Sequence, residues 1–153
     1  IVEPDVAVFG RKDYQQWRVI TRMVRDLDFP IKVVGMPTCR ELDGLAMSSR
    51  NARLTPQARQ DALAIPHALQ WAETAHAAGE VTAPQPLIDR VTQLITAAGG
   101  KVDYVQCAHA NHLGPVEDLV NQPVLLAVAA NFPAMGGSVV RLIDNTVLGE
   151  MPA

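Results

Sequence analysis

Apolar positions in the first part of the chain follow strand spacing, then helix spacing, then strand spacing again. A β-branched and aromatic run over residues 6–9 predicts a buried strand. Apolar side chains then recur at helical spacing over residues 17–27, and Asp13 with Gln16 has the spacing of a capping box at the helix start. Residues 31–35 predict a second strand. A strand, a helix and a strand with short links predict a βαβ unit with parallel strands.

The pattern changes after this unit. Residues 36–54 are polar and contain glycine without a clear period, which predicts a loop, and loops of this length are often functional. Thr55 followed by Pro56 predicts the start of a long helix, with Pro66 kinking or dividing it. A second helix is predicted over residues 86–98, before three strand-like runs. These runs cover residues 102–107, 124–129 and 139–143. They predict a small antiparallel sheet packed against helices.

Composition leaves this picture unchanged, but the distribution of charge adds to it. The chain has 153 residues, of which 48% are hydrophobic and 19% charged, and these values exclude a disordered or collagen-like chain. Residues 1–60 hold ten of the 13 Lys and Arg residues and seven of the 16 Asp and Glu residues, a net charge of +3. An anionic ligand is therefore expected there, although the excess is too small to predict nucleic-acid binding. Charge and element pattern both change near Arg53, which predicts domains over 1–53 and 54–153.

Several classes of protein are excluded by what the chain lacks. Its longest apolar runs, such as residues 124–130, are far shorter than a membrane span. Cys39 and Cys107 lie far apart and outside any Cys or His cluster, so we expect no disulfide framework and no metal site, and a cytoplasmic protein. The chain begins at Ile1 without the pattern of a signal peptide. A start so close to the first strand suggests that an upstream segment has been removed or lies on another chain.

The first candidate site is the turn between the first predicted strand and helix. Gly10 ends the strand, and Arg11 and Lys12 precede the helix start at Asp13. Free N–H groups at a helix N-terminus suit a phosphate, and Lys12 adds a full positive charge. The alternative is a capped helix with a solvated Lys12, in which Gln16 only closes the capping box.

The second candidate site is the polar string Met47, Ser48, Ser49 and Arg50. Two hydroxyl groups and a guanidinium group in a loop can bind the oxygens of a triphosphate. The alternative is an ordinary polar loop before the following helix, since the string alone has little specificity.

The third candidate is the pair His109 and His112. Their spacing suits two metal ligands on a helix, but the segment reads as a loop and no third ligand is evident. A structural or solvated role is therefore favoured. His67 and His76 have no partner motif and are interpreted as surface or interface residues.

Taken together, the motifs resemble those of the pantothenate synthetases, the pantoate–β-alanine ligases. Residues 4–16 resemble the strand–loop–helix segment of the family, residues 43–51 resemble its second signature, and residues 141–145 resemble a third block. The three blocks stand in the family's order and cover essentially the whole chain. The resemblance implies an α/β fold: an incomplete Rossmann-like nucleotidyltransferase domain, related to class I aminoacyl-tRNA synthetases, followed by a small α+β domain.

The resemblance also implies a reaction and its participants. In this family pantoate and ATP give pantoyl adenylate and pyrophosphate, and β-alanine then displaces AMP to form pantothenate. Mg²⁺ accompanies ATP and is held mainly by the phosphates. A cytoplasmic homodimer is implied as well. A flexible loop such as 36–54 is expected to cover the adenylate, which must be kept from water.

Roles are implied residue by residue. Gln16 matches the pantoate-binding glutamine, and Cys39 stands where the family commonly has a valine that touches adenine through its backbone. The residues that match the ATP-contacting turn and the ATP loop, the counterpart of the synthetases' KMSKS loop, are Gly10, Arg11, Lys12, Asp13, Met47, Ser48, Ser49 and Arg50. Lys12, Ser48, Ser49 and Arg50 are the implied catalytic residues, because an attacked α-phosphate needs positioning and preorganised cations.

The family's upstream half, with its His-x-Gly-His motif and a second pantoate-binding glutamine, has no counterpart in this chain. Residues 109–114 do not substitute for it, because their spacing and context differ. We therefore expect the chain to need that half for activity. The alternative is a non-catalytic module that binds nucleotide or mediates dimerisation.

Overall fold

The computed structural model describes residues 2–149, and the chain divides into two compact units between Cys39 and Arg40. The predicted boundary near Arg53 lies later in the chain. The division falls earlier because residues 40–54 pack with the second unit, where Leu45 and Leu54 belong to the hydrophobic core.

The first unit is a βαβ unit, as predicted. Strand β1 (Val6–Gly10) lies parallel to β2 (Lys32–Met36), and α1 (Tyr14–Asp26) connects them after a 3₁₀ turn, Arg11–Asp13. The prediction that β1 is buried was wrong, because Val8 is 62% exposed. Side chains alternate along a strand, and within this unit only one face of β1 is covered.

Trp17 anchors α1 on the two-stranded sheet. The Trp17 indole lies so close to Gly35 of β2 that a Cβ atom there would be 2.4 Å from Trp Cε2. Tyr14 packs edge-on against Trp17 with ring centroids 5.2 Å apart, and both residues are buried. A glycine in the middle of β2 is therefore what allows the helix to pack closely.

In the second unit, residues 40–54 are followed by the helices α2 (Pro56–Asp61), α3 (Ala64–Ala77) and α4 (Pro84–Ala97). The predicted cap is confirmed, since Thr55 Oγ1 accepts a hydrogen bond of 3.1 Å from the N–H of Ala58. The predicted division is confirmed as well. It falls just before Pro66, which has no N–H to continue the hydrogen-bond ladder of α2.

The predicted antiparallel sheet is formed by β3 (Lys101–His109), β4 (Val124–Pro133) and β5 (Val139–Leu148), in that order. Its strands extend beyond the predicted runs at one or both ends. Alternate residues of β4 and β5 form a core with the helices, and Phe132 is the largest fully buried side chain in it. Over residues 2–149, no helix is both long and apolar enough to cross a membrane.

Candidate functional site

The strand–helix turn of the first unit has open space beside Gly10. Gly10 has ordinary extended backbone angles (φ −75°, ψ 134°), so its conformation does not require glycine. A Cβ atom at Gly10 would meet no other atom within 4 Å. Lys12 is half-buried and Asp13 is exposed. The turn therefore presents backbone and charge with room for a ligand to approach closely.

Arg11 has a structural role in the same turn. Its Nε donates a hydrogen bond of 3.1 Å to the carbonyl oxygen of Gly35, and its guanidinium lies 4.9 Å from the centre of the Trp17 ring. These contacts fix the turn to β2 and to α1.

The predicted capping box is not formed. Asp13 makes no side-chain cap hydrogen bond to α1, because the 3₁₀ turn leads directly into the helix with Asp13 at φ −89° and ψ 64°. Gln16 is exposed on the first turn of α1. The alternative that Gln16 only closes a capping box therefore has no support in the structure.

In the second unit, residues 40–46 form a closed loop that is bonded to the sheet. Arg40 and Ala46 form an antiparallel bridge, and Arg40 Nη1 donates to the carbonyl oxygen of Gly44 at 3.0 Å. The Arg40 guanidinium also binds both oxygens of Asp144 on β5, at 2.7 and 3.2 Å. The loop is thereby held to the last strand of the sheet.

A second set of charges holds the loop to α2. Two Nη2 hydrogen bonds of 2.7 Å join Arg59 to Glu41 and to Asp43. Hydrogen bonds from Asn51 and Arg59 lower the pKa of Glu41. Burial is the largest single influence on Asp43 and opposes its ionisation, but the hydrogen bonds from Arg59 and from the Leu45 N–H, together with the charge of Arg59, lower the pKa of Asp43 overall.

Residues 47–50 follow this anchored loop as a tight exposed turn. The Ser48 carbonyl accepts a hydrogen bond of 3.0 Å from the N–H of Asn51, and Ser48 Oγ accepts one of 3.2 Å from the N–H of Arg50. Met47 is 56% exposed, and Ser49 and Arg50 are exposed. Ala46 before the turn and Asn51 after it are both buried. The chain thus offers hydroxyl and guanidinium groups between two fixed ends.

The sequence-predicted residues therefore fall into two groups, one in each compact unit. The turn of the first unit brings together Gly10, Arg11, Lys12, Asp13 and Gln16, and the turn of the second brings together Met47, Ser48, Ser49 and Arg50. Cys39 is the last residue of the first unit and is exposed.

The two histidines of the third candidate have a structural role. The rings of His109 and His112 stack with centroids 3.9 Å apart, and each Nδ1 accepts a backbone N–H at 3.1 Å. In the described part of the chain, no three or more His, Cys, Asp and Glu side chains are grouped as metal ligands. A cavity of about 600 Å³ at the end of α3 is lined by His76, Leu119 and Pro123, among others, and by none of the predicted site residues.

The anchoring residues of the second unit were missed by sequence reasoning. Arg40 and Asp144 are 104 residues apart, and neither stands in a local pattern that suggests a pair. The sequence did contain a signal, because Asp144 lies in residues 141–145, the third block that resembles the family. The resemblance implied no physical role for that block. Within that block, Asp144 neutralises Arg40.

Comparison with known proteins identifies the family of the chain. A family model described as pantoate–β-alanine ligase matches residues 1–147. The pantoate–β-alanine ligase of Lotus japonicus is 51% identical over 145 residues, which are 95% of this chain and 45% of that protein. The pantothenate synthetase of Rhodopseudomonas palustris (strain HaA2) is 46% identical over 147 residues, which are 96% of this chain and 50% of that protein.

Solved structures extend the likeness to the fold. Pantothenate synthetase from Thermus thermophilus superposes with a TM-score of 0.82 at 40% identity, over 95% of this chain and 50% of that one. The ligase from Francisella tularensis, solved with β-γ ATP and β-alanine, gives 0.61 at 28% identity, over 95% of this chain and 44% of that one. The fold is thus of the nucleotidyltransferase type seen in these ligases. The chain belongs to the pantoate–β-alanine ligase family, and it spans about half the length of the relatives it matches.

Proposed function

We propose that the protein containing this chain is an ATP-dependent ligase that joins pantoate to β-alanine and releases AMP and pyrophosphate. The chain belongs to the ligase family, and the observation that carries the proposal is its exposed turn over residues 47–50. The residues at the two ends of this turn, Ala46 and Asn51, are buried. Such a turn offers two hydroxyl donors and a guanidinium group to phosphate oxygens. Because its ends are already fixed, little conformational entropy is lost when the ligand binds.

The first step forms an acyl adenylate. A pantoate carboxylate oxygen attacks the α-phosphorus of ATP, the bond from that phosphorus to the bridging oxygen breaks, and pyrophosphate leaves with the electron pair. Negative charge develops on the phosphate oxygens, and Lys12 and Arg50 are proposed to stabilise it, with Ser48 and Ser49 donating hydrogen bonds. Gln16 is proposed to hold pantoate.

The second step is acyl transfer. The amine of β-alanine attacks the acyl carbon, the bond from that carbon to the AMP oxygen breaks, and the nitrogen loses a proton. No protein nucleophile is needed, so the residues of this chain act by binding and orienting the substrates.

Gly10 supports the proposed position of ATP in the first unit. Its backbone conformation is open to any residue, yet a Cβ would point into open space, which is what a close approach of phosphate to the backbone requires. Arg11 is proposed to contact ATP through this turn. Cys39 is proposed to lie at adenine, and its exposure is compatible with that position.

Mg²⁺ is proposed to accompany ATP, neutralising phosphate charge when bound. Asp13 is an exposed carboxylate beside Lys12, and a carboxylate oxygen is a ligand that Mg²⁺ accepts together with substrate phosphates. The cations and hydroxyl groups of the two turns, Lys12, Ser48, Ser49 and Arg50, suit the phosphates themselves.

Three further proposals concern the whole protein. It acts in the cytoplasm, which agrees with the free thiols of Cys39 and Cys107. It forms a homodimer, and light scattering of the purified protein tests this. The family's upstream half is needed for activity.

The test uses the protein expressed from its complete gene. Pantoate-dependent exchange of labelled pyrophosphate into ATP, measured without β-alanine, reports the adenylate step, and AMP release with all three substrates reports the whole reaction. Lys12→Ala is expected to slow both by about 100-fold. Lys32→Ala is the matched control, because Lys32 is an exposed lysine at the opposite end of the same parallel sheet.

Each outcome has a separate meaning. An unchanged Lys12→Ala variant would remove Lys12 from the mechanism. Absence of AMP from the unaltered protein would overturn the ligase activity, and ATP binding without AMP formation would favour the non-catalytic module.

A further inference from the structure

Glu41, which precedes the exposed turn over residues 47–50, is hydrogen-bonded through its carboxylate to two residues that follow the turn. Glu41 Oε1 accepts a bond of 2.6 Å from Asn51 Nδ2, and Glu41 Oε2 accepts one of 2.7 Å from Arg59 Nη2. Asn51 directly follows residues 47–50, and its Nδ2 also donates to the carbonyl oxygen of Ala46, directly before them, at 3.2 Å. The Asn51 amide thus joins the two ends of the turn, and Glu41 fixes that amide to Arg59 on α2.

The cluster is not arranged for stability alone. Asn51 Oδ1 and Arg59 Nη1 are both buried, and neither has a hydrogen-bond partner within residues 2–149. Buried polar atoms without partners cost free energy, so an apolar cluster of the same shape would hold the fold better. The polar cluster fixes the orientation of the Asn51 side chain, because hydrogen bonds are directional and apolar contacts are not.

We propose that Glu41 is a positioning residue that sets the geometry of residues 47–50 through Asn51. It does so without touching nucleotide, and it preorganises the Ser48 and Arg50 groups for a triphosphate. The claim about triphosphate binding rests on the function proposed above, whereas the claim that Glu41 sets the shape of the turn does not. Glu41 is suited to the task because a carboxylate accepts from Asn51 and Arg59 at once, one on each oxygen.

The main test is Glu41→Gln, which keeps the shape of the side chain. Its NH₂ group must face either Asn51 Nδ2 or Arg59 Nη2, both of which are donors, so at least one bond is lost. Asn51→Ala is the second variant, since it removes the link to the turn and leaves the pair between Glu41 and Arg59 in place. Asp103→Asn is the matched control, because it removes one charge from the 2.8 Å ion pair that Asp103 on β3 forms with Arg141 on β5.

The first readout is amide hydrogen exchange, which does not depend on catalysis. In Glu41→Gln and in Asn51→Ala, the backbone N–H groups of residues 50 and 51, which are bonded to Ser48, are expected to exchange about tenfold faster. The Val128 amide in β4 is expected to exchange at its usual rate, which shows that the fold is retained. Asp103→Asn is expected to leave residues 48–51 unchanged.

The second readout is the KM for ATP in the protein expressed from its complete gene. We expect KM to rise about tenfold in both variants, with a smaller change in kcat and no change in Asp103→Asn. The double variant is expected to match the single ones, because Glu41 acts through Asn51.

Three results would overturn the proposal: unchanged exchange at residues 50 and 51, faster exchange with an unchanged KM, or faster exchange at Val128 too in both variants. The last would show a general loss of stability. If the unaltered protein forms no AMP, the ligase function fails, while hydrogen exchange still decides whether Glu41 sets the shape of the turn.

Discussion

Arg40 and Asp144 form a two-point salt bridge that joins the loop over residues 40–46 to the last strand of the sheet. The distances are 2.7 and 3.2 Å, and the Asp144 side chain is only 2% exposed. Asp144 Oδ1 also accepts the N–H of Asn145 at 2.8 Å. The carboxylate is therefore a buried charge whose partners are a cation from the loop and the backbone beside it.

Removal of this cation is expected to be costly. Arg40→Ala leaves Asp144 buried without its counter-charge, and we expect the free energy of unfolding to fall by about 3 kcal/mol. Urea denaturation measures the change. Asp103→Asn, which breaks an ion pair whose two side chains are each about half exposed, is expected to cost under about 1 kcal/mol. Equal losses of stability in the two variants would contradict the conclusion that Arg40 neutralises a buried charge on Asp144.

The carboxylates bound to Arg59 predict a pH dependence. The pKa values of Glu41 and Asp43 are lowered in the folded protein, so both carboxylates bind fewer protons there than in the unfolded chain. Their contribution to stability is complete above the unfolded pKa values and is lost as pH falls through the folded ones. The difference in melting temperature between the unaltered protein and Glu41→Gln is therefore expected to persist at pH 5–7 and to shrink below about pH 4. A difference that grows on acidification would contradict this sign.

The two cysteines are expected to react at different rates. Cys39 is exposed, whereas burial raises the pKa of the Cys107 thiol to about 11 and leaves little thiolate at pH 8. Mass spectrometry after iodoacetamide treatment should show Cys39 modified at least about tenfold faster. If adenine lies at Cys39 as proposed, ATP slows its modification and leaves the rate at Cys107 unchanged. Equal protection of the two thiols would argue against that position.

Substitution by alanine is expected to change stability at one glycine of the first unit and hardly at another. Gly35→Ala places a Cβ 2.4 Å from the Trp17 ring and is expected to lower the free energy of unfolding by about 1–3 kcal/mol. Gly10→Ala places one in open space, so stability should change by less than about 0.5 kcal/mol. The KM for ATP should nevertheless rise in Gly10→Ala if phosphate approaches that backbone. Denaturation and steady-state kinetics measure the two effects, and an unchanged KM would remove Gly10 from the site.

The elements of the fold could be predicted because local patterns encode them. The apolar stripe of α1, the cap at Thr55 and the break before Pro66 all depend on neighbours in sequence. The capping box failed for a local reason as well, because a 3₁₀ turn at Asp13 replaced the expected geometry.

Long-range partners could not be predicted from those patterns. The pair of Arg40 with Asp144 and the bonds of Glu41 to Asn51 and Arg59 depend on how distant segments meet. For the same reason the resemblance could propose a role for residues 47–50, while the residues that hold the neighbouring loop in shape could not be predicted.

The salt bridge to Asp144 also has a consequence for the order of events during synthesis. Arg40 leaves the ribosome 104 residues before its partner, so at about 5–20 residues per second the loop waits roughly 5–20 s for the strand that completes it. Through that interval the nascent chain carries residues 40–50 without the ion pair that holds the loop to the sheet. The loop over residues 40–46 is therefore anchored only once β5 has been synthesised.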